Sequence, residues 1–419
     1  MFEKILEIWR KIMKKTVLRK YAELIARRGV NIQKGQEVIV MAGLDQPEFV
    51  YMVVDECYKA GAGKVVVEFD YQPLTKLHVR HQKLATLGKV EKWVEERWKH
   101  YTEVLPARIY LESDDPDGLK GINQAKLAKA GAARMRVIKP YRDAIDNKHT
   151  WCIAAVPGEK WAKKLFPKLS KKQAIEKLWE AILYTARVDD DPIAAWNAHN
   201  EDLASRCKYL NDLDIETLHY KSSNGTDFKV GLMPESKFAG GGEYTLSGVY
   251  YNPNIPSEEC FTSPAKDTAE GIVYSSKPLS YNGEIIENFS IRFEGGRAVE
   301  VKAEKNESLL REMIGMDEGA ARLGECALIP FDSPINNYGL VFMNTLFDEN
   351  ASCHLALGRG FSECMKEYDK FTLKELQEKG LNDSIIHVDF MIGTEDLDIT
   401  ATTRDGKTVK IFEKGNWAF

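Results

Sequence analysis

The chain has 419 residues, 44% of them hydrophobic and 29% charged, enough apolar surface to offset chain entropy and to exclude disorder as its main state. Its net charge of −5, from 58 Lys and Arg against 63 Asp and Glu, argues against a protein built to hold nucleic acid. At roughly 100–200 residues per domain, a few domains are expected.

In chain order, the first predicted element is an amphipathic helix. Phe2, Ile5, Leu6, Ile8, Trp9, Ile12 and Met13 fall at helical spacing, and docking on the protein's own body is expected. Charges run through this segment, so it does not read as a signal peptide, and no stretch of the chain is long and apolar enough to span a bilayer. Residues 36–43 read as a strand, 46–60 as a helix stopped by Gly61 and Gly63, and 64–70 as the next strand. A long charged helix is predicted over 77–100, a third strand over 108–112, a helix over 118–132 and a further strand over 151–156. Near-continuously apolar strands alternating with helices imply βαβ units and a parallel sheet. Two consecutive helices follow over 170–187 and 192–209, with the acidic run Asp189, Asp190 and Asp191 at the second one's N-terminus. Past about residue 215 the texture changes to short alternating segments separated by glycines, at 216–220, 227–232, 271–274, 290–293 and 299–303. The expected fold is an α/β N-terminal domain with a mainly parallel sheet and a helical linker over 1–214. An α+β catalytic domain rich in antiparallel strands follows over 215–419.

The seven cysteines are scattered and form no CxxC pair, which argues against a disulfide framework or a Cys-rich zinc site and suits a reducing cytosol. The second half instead gathers carboxylates and imidazoles in four clusters. They hold Glu258 with Glu259, then Glu325, then Asp348 with Glu349 and His354, and last His387 with Asp389. Alternate side chains of a strand share a face, so His387 and Asp389 project together while Val388 turns toward a core. Burying that pair is costly without a partner. Taken alone, the strand fits either a divalent cation or a structural His–Asp hydrogen bond. Together the clusters offer enough donors for two metal ions, roughly 3.5–4 Å apart and bridged by one carboxylate. Such a donor set suits zinc, cobalt or manganese. Glu258, beside Glu259, is expected to be the general base, with Glu349 next in line.

Three stretches, PSEECFTSP at 256–264, LFDENASCH at 346–354 and HVDFMIG at 387–393, resemble in this order the aminopeptidase T, aminopeptidase S and PepS family of metal-dependent aminopeptidases. The resemblance covers most of the chain. It implies dinuclear ligands at Glu259, Glu325, His354, His387 and Asp389, a homodimer enclosing the active sites, and removal of N-terminal, typically apolar, residues from peptides. The family's pattern carries a tyrosine seven residues after the ligand histidine, where this chain has Phe361; Tyr368 is expected to supply the missing hydroxyl. Two other readings stand beside this one. A ring-cleaving dioxygenase of the dihydroxypyridine type, which resembles the same family, would hold one iron on His354, His387 and Asp389. A non-catalytic peptide- or metal-binding protein would account for Phe361. The expectation is a cytoplasmic homodimer acting on peptides, with neither nucleic acid nor membrane as partner.

Overall fold

The computed structural model describes residues 15–419, so the amphipathic segment read at 2–13 lies outside the described residues. In the first half, β1 (Glu37–Ala42), β2 (Lys64–Phe69), β3 (Ala107–Glu112) and β4 (Trp151–Ala155) form a parallel sheet in the order β2-β1-β3-β4. A strand from the second half, β5 (Asn254–Ile255), pairs in parallel with β4. Val38, Val40, Ile109 and Ala154 of the sheet share one buried core with Phe49 and Val53 of α1 (Pro47–Ala60). Gly61 ends α1 in the left-handed conformation, φ +113°, as its position after the helical run implies.

The helix read at 77–100 is broken. Gln82 and Lys83 adopt extended backbone and separate Gln72–His81 from Leu84–Leu87, and α2 (Lys92–Val104) follows. The helix read at 118–132 starts later, where the Asn123 side chain accepts a hydrogen bond from the Lys126 N–H, and runs on as α3 (Gln124–Ile145). Next come α4 (Lys171–Thr185), opened by a capping box of Ser170 and Gln173, and α5 (Pro192–Asp212), capped by Asp191.

The second half carries a nine-stranded sheet that includes Ile215–Lys221, Asp227–Gly231, Glu284–Glu294, Arg297–Lys305 and Asp398–Thr403. A four-stranded antiparallel sheet packs against it, in the order β6 (Cys260–Thr262), β7 (Leu323–Leu328), β8 (His354–Gly358) and β9 (His387–Met391). Leu355, Leu357 and Phe390 of the small sheet join Leu218, Tyr220 and Ile399 of the large one in a second core. That core uses one set of alternating positions on β8 and β9. The other set, His354, Ala356, His387 and Asp389, is left to the opposite face.

Candidate metal centre

The small sheet builds the site by register. On β7 the pairing with β8 shifts between Leu323 and Glu325, a bulge after which Glu325 stands opposite Ala356. Ala356 in turn stands opposite Asp389 on β9. Glu325, Ala356 and Asp389 therefore form one row across the sheet, and neighbouring strands lie about 4.8 Å apart. The two carboxylates face each other over a methyl group. His354 flanks the row from β8 and His387 from β9, while Glu259 reaches in from the residue before β6.

Among the described residues, two triads place their ligand atoms within 4.8 Å of one another: Glu259, Glu325 and His354, and Glu325, His387 and Asp389. Glu325 belongs to both. His387 Nε2 lies 3.1 Å from Glu325 Oε2 and 3.2 Å from Asp389 Oδ1, and His354 Nε2 lies 3.4 Å from Glu259 Oε2. Each ring is aimed by its other nitrogen. His354 Nδ1–H donates to the Glu349 carbonyl at 2.9 Å and His387 Nδ1–H to the Arg359 carbonyl at 2.7 Å, which leaves Nε2 toward the cluster.

The electrostatics fit missing positive charge. Asp389 Oδ1 is buried, and its 3.2 Å approach to His387 Nε2 lacks hydrogen-bond geometry. Burial and the neighbouring Glu325 push the Glu259 carboxyl up to about 8, and burial and Asp389 hold Glu349 well above the usual carboxylate range. Burial opposes charge on His354, yet Glu325, Glu259 and Asp389 push it up to about 9. Asp389 alone goes down, to about 2: burial works against it and the His387 imidazolium wins. The cluster's carboxylate and imidazole donors suit divalent cations, and Glu325 is common to both triads.

The cluster opens on a cavity of about 790 Å³ lined from both halves of the chain, by Arg108, Tyr110 and Arg142 as well as the ligand residues. Its size is that of small-molecule sites.

The description of the thermophilic metalloprotease family M29 matches residues 14–417. The chain belongs to this family. It is 41% identical over 404 residues to aminopeptidase AmpS of Bacillus subtilis, covering 96% of this chain and 98% of that protein. To aminopeptidase T of Thermus thermophilus it is 39% identical over 402 residues, with the same coverage. The structure of wild-type AmpT from Thermus thermophilus superposes with a TM-score of 0.87 at 38% identity, over 97% of this chain and 100% of that one. An M29 chain is a metallopeptidase, and the cluster offers candidate ligand groups for a divalent metal.

Two of the expected site residues need correction. Glu258 points away from the cluster: the Arg187 guanidinium holds both its oxygens, at 2.5 and 2.8 Å, and its N–H donates to Asn350 Oδ1. A carboxylate engaged in this way is committed to Arg187, and Glu258 is not among the residues lining the cavity. Tyr368 lies in a separate cluster with Met233, Met365, Leu376 and Leu381, its ring beneath Lys237, and is not among the residues lining the cavity. Phe361 does line it, with its ring 4.7 Å from that of His387. Glu349 is where Glu258 was expected to be. It is buried on α6 (Thr345–Glu349), lines the cavity, and receives a 3.3 Å hydrogen bond from Asn350 Nδ2. Sequence reading ranked it second because adjacency to a ligand in the chain was taken for adjacency in space. Arg187 and Arg359, which hold Glu258 and His387, carried no sequence signal beyond the two glycines flanking Arg359.

Proposed function

We propose that the chain removes N-terminal residues from peptides with two divalent cations held by Glu259, Glu325, His354, His387 and Asp389, and with Glu349 as general base. That it is a metal-dependent aminopeptidase, a hydrolase, follows from its family and its curated relatives. The observation that carries the two-cation reading is the pair of ligand triads sharing Glu325. A pair of cations so held would supply an acidified water and a polarised scissile carbonyl.

The chain's own residues account for the rest. Glu349, raised by burial but aimed at the cluster, takes the water's proton and passes it to the leaving amine. Glu243, which lines the cavity within electrostatic reach of Glu259 and Glu325, offers an acidic group to the substrate's free α-ammonium. The single-iron reading uses only His354, His387 and Asp389 and leaves Glu259 buried with no cation to meet. In the same proposal the ions are zinc, cobalt or manganese and the enzyme is a cytosolic homodimer acting on apolar N-termini. The family resemblance supports this, as do seven buried free cysteines for the compartment. The test is release of p-nitroaniline from leucine p-nitroanilide after loading with Co²⁺, Zn²⁺ or Mn²⁺. Turnover that depends on the metal is expected; none with any of the three would overturn the proposal.

A further inference from the structure

Two arginines on the cavity wall built by the first half have no anion. Arg108 on β3 stacks on the rings of Trp98, Tyr101 and Tyr110, at 5.0, 5.7 and 5.3 Å, and its polar contact is the Met41 sulphur at 3.9 Å. Its Nε is buried without a hydrogen-bond partner. Arg142 on α3 donates to the Met135 sulphur at 3.7 Å. Among the described residues, neither guanidinium has a carboxylate at ion-pair distance. The nearby acids are taken: Asp146 accepts from Arg359 at 2.8 Å, and Asp143 from Arg359 at 3.2 Å and Lys139 at 2.9 Å. His149 lines the same wall, and burial holds its imidazole down at about 4, so it adds no positive charge near neutral pH. Arg108, Arg142 and His149 all line the cavity, as do the ligand residues.

The carboxylate and imidazole cluster and the two arginines without an ion-pair partner thus line one cavity. Arg359 joins the two regions, its carbonyl against His387 and its guanidinium against Asp146, the residue that follows α3. Arg108 and Arg142 line the wall from the first half together with Asp146, and Asn147 on that wall donates to Glu363 at 3.4 Å. Arg142 is exposed, whereas Arg108 is half-buried with its Nε unpartnered, which is costly unless an anion binds, and the planar fork of each suits a carboxylate.

We infer that Arg108 and Arg142 bind the C-terminal carboxylate of the substrate, so that short peptides with a free carboxyl end are the preferred substrate class. This rests on the aminopeptidase reading, since the peptide must enter with its amino end at the cluster. At about 3.3 Å per extended residue, two or three residues span roughly 7–10 Å, a length a cavity of about 790 Å³ accommodates.

The test compares kcat/KM of the cobalt-loaded enzyme on Leu-Gly-Gly, on its C-terminal amide, and on Leu-Glu-Gly-amide, whose only carboxylate is a side chain. The wild type should prefer the free acid over both amides by about tenfold or more, the range of a charge-assisted hydrogen bond, and mainly through KM. Arg142→Gln and Arg108→Gln should bring that ratio near one, and Arg142→Lys should keep part of it. The wild-type ratio stands by itself if a variant fails to fold. Equal rates on acid and amide, or equal preference for the side-chain carboxylate, would overturn the inference while leaving the aminopeptidase reading intact. If neither leucine p-nitroanilide nor any of the peptides is cut, the aminopeptidase reading fails, and the inference with it.

Discussion

Glu258 and Glu259 are neighbours in the chain and serve different partners, one the Arg187 guanidinium and the other the ligand cluster. Substitution separates their roles. Glu349→Gln should lower kcat by ~10²–10⁴-fold with both metals retained, as loss of a general base does; metal content and kcat measured on one preparation check this. Glu258→Gln should act on stability, because Arg187, held at φ +55°, loses its buried partner. Breaking such a pair costs roughly 3–5 kcal/mol, which a denaturant melt would read. The tyrosine question has a similar answer. Phe361→Tyr places a hydroxyl beside His387 and should raise kcat, whereas Tyr368→Phe should change it little. A sharp loss at Tyr368 would contradict the geometry. Protonation sets the pH dependence of loading. Without cations, the surrounding carboxylates hold His354 up at about 9 against the effect of burial, and burial with Glu325 pushes Glu259 up to about 8. Their protons stabilise the metal-free fold at lower pH, and that contribution is lost as pH rises through those values. Cations must expel the same protons. Metal affinity should therefore weaken between pH 8 and pH 6, by up to about tenfold per unit for each proton expelled; calorimetric titration with Zn²⁺ at several pH values would show it.

At the scale of elements, β9 was readable from sequence because alternation is a local property: His387 and Asp389 share a face wherever the strand goes. The row they complete was not readable. It depends on the bulge in β7 and on Ala356 standing between two carboxylates, and both are facts of pairing between distant segments. The same limit applies to the helices. Gln82 and Lys83 carry no breaker signal, yet their extended backbone interrupts the run read at 77–100. The Asn123 cap, by contrast, was a signal available in the sequence and passed over. Ala356 gives the sharpest test at this scale. Ala356→Leu fills the gap between Glu325 and Asp389, so metal binding should be lost while far-UV circular dichroism stays that of the folded chain. A variant that loads normally would show that the row does not frame the site.

The whole molecule places this sheet against a second structural half, and only part of that was legible. The βαβ texture of the first half and the antiparallel texture after about residue 215 follow from periodicity, and both are present. Their interlocking is not a local property. A two-residue strand at Asn254–Ile255 completes the first sheet, and Ile335, Phe342 and Phe347 from the second half sit in the first core. This interlock closes the cavity between a wall from one half that carries Arg108 and Arg142 and the candidate metal cluster of the other. The two triads joined by Glu325 lie at the centre of that arrangement, and metal stoichiometry measures them most directly. Elemental analysis of the wild type and of Glu325→Ala, each assayed on leucine p-nitroanilide, should give two divalent metals per chain with activity in the first. In the second, metal and activity should be lost together. One iron per chain in the wild type, or two metals and a near-normal rate in Glu325→Ala, would contradict the account.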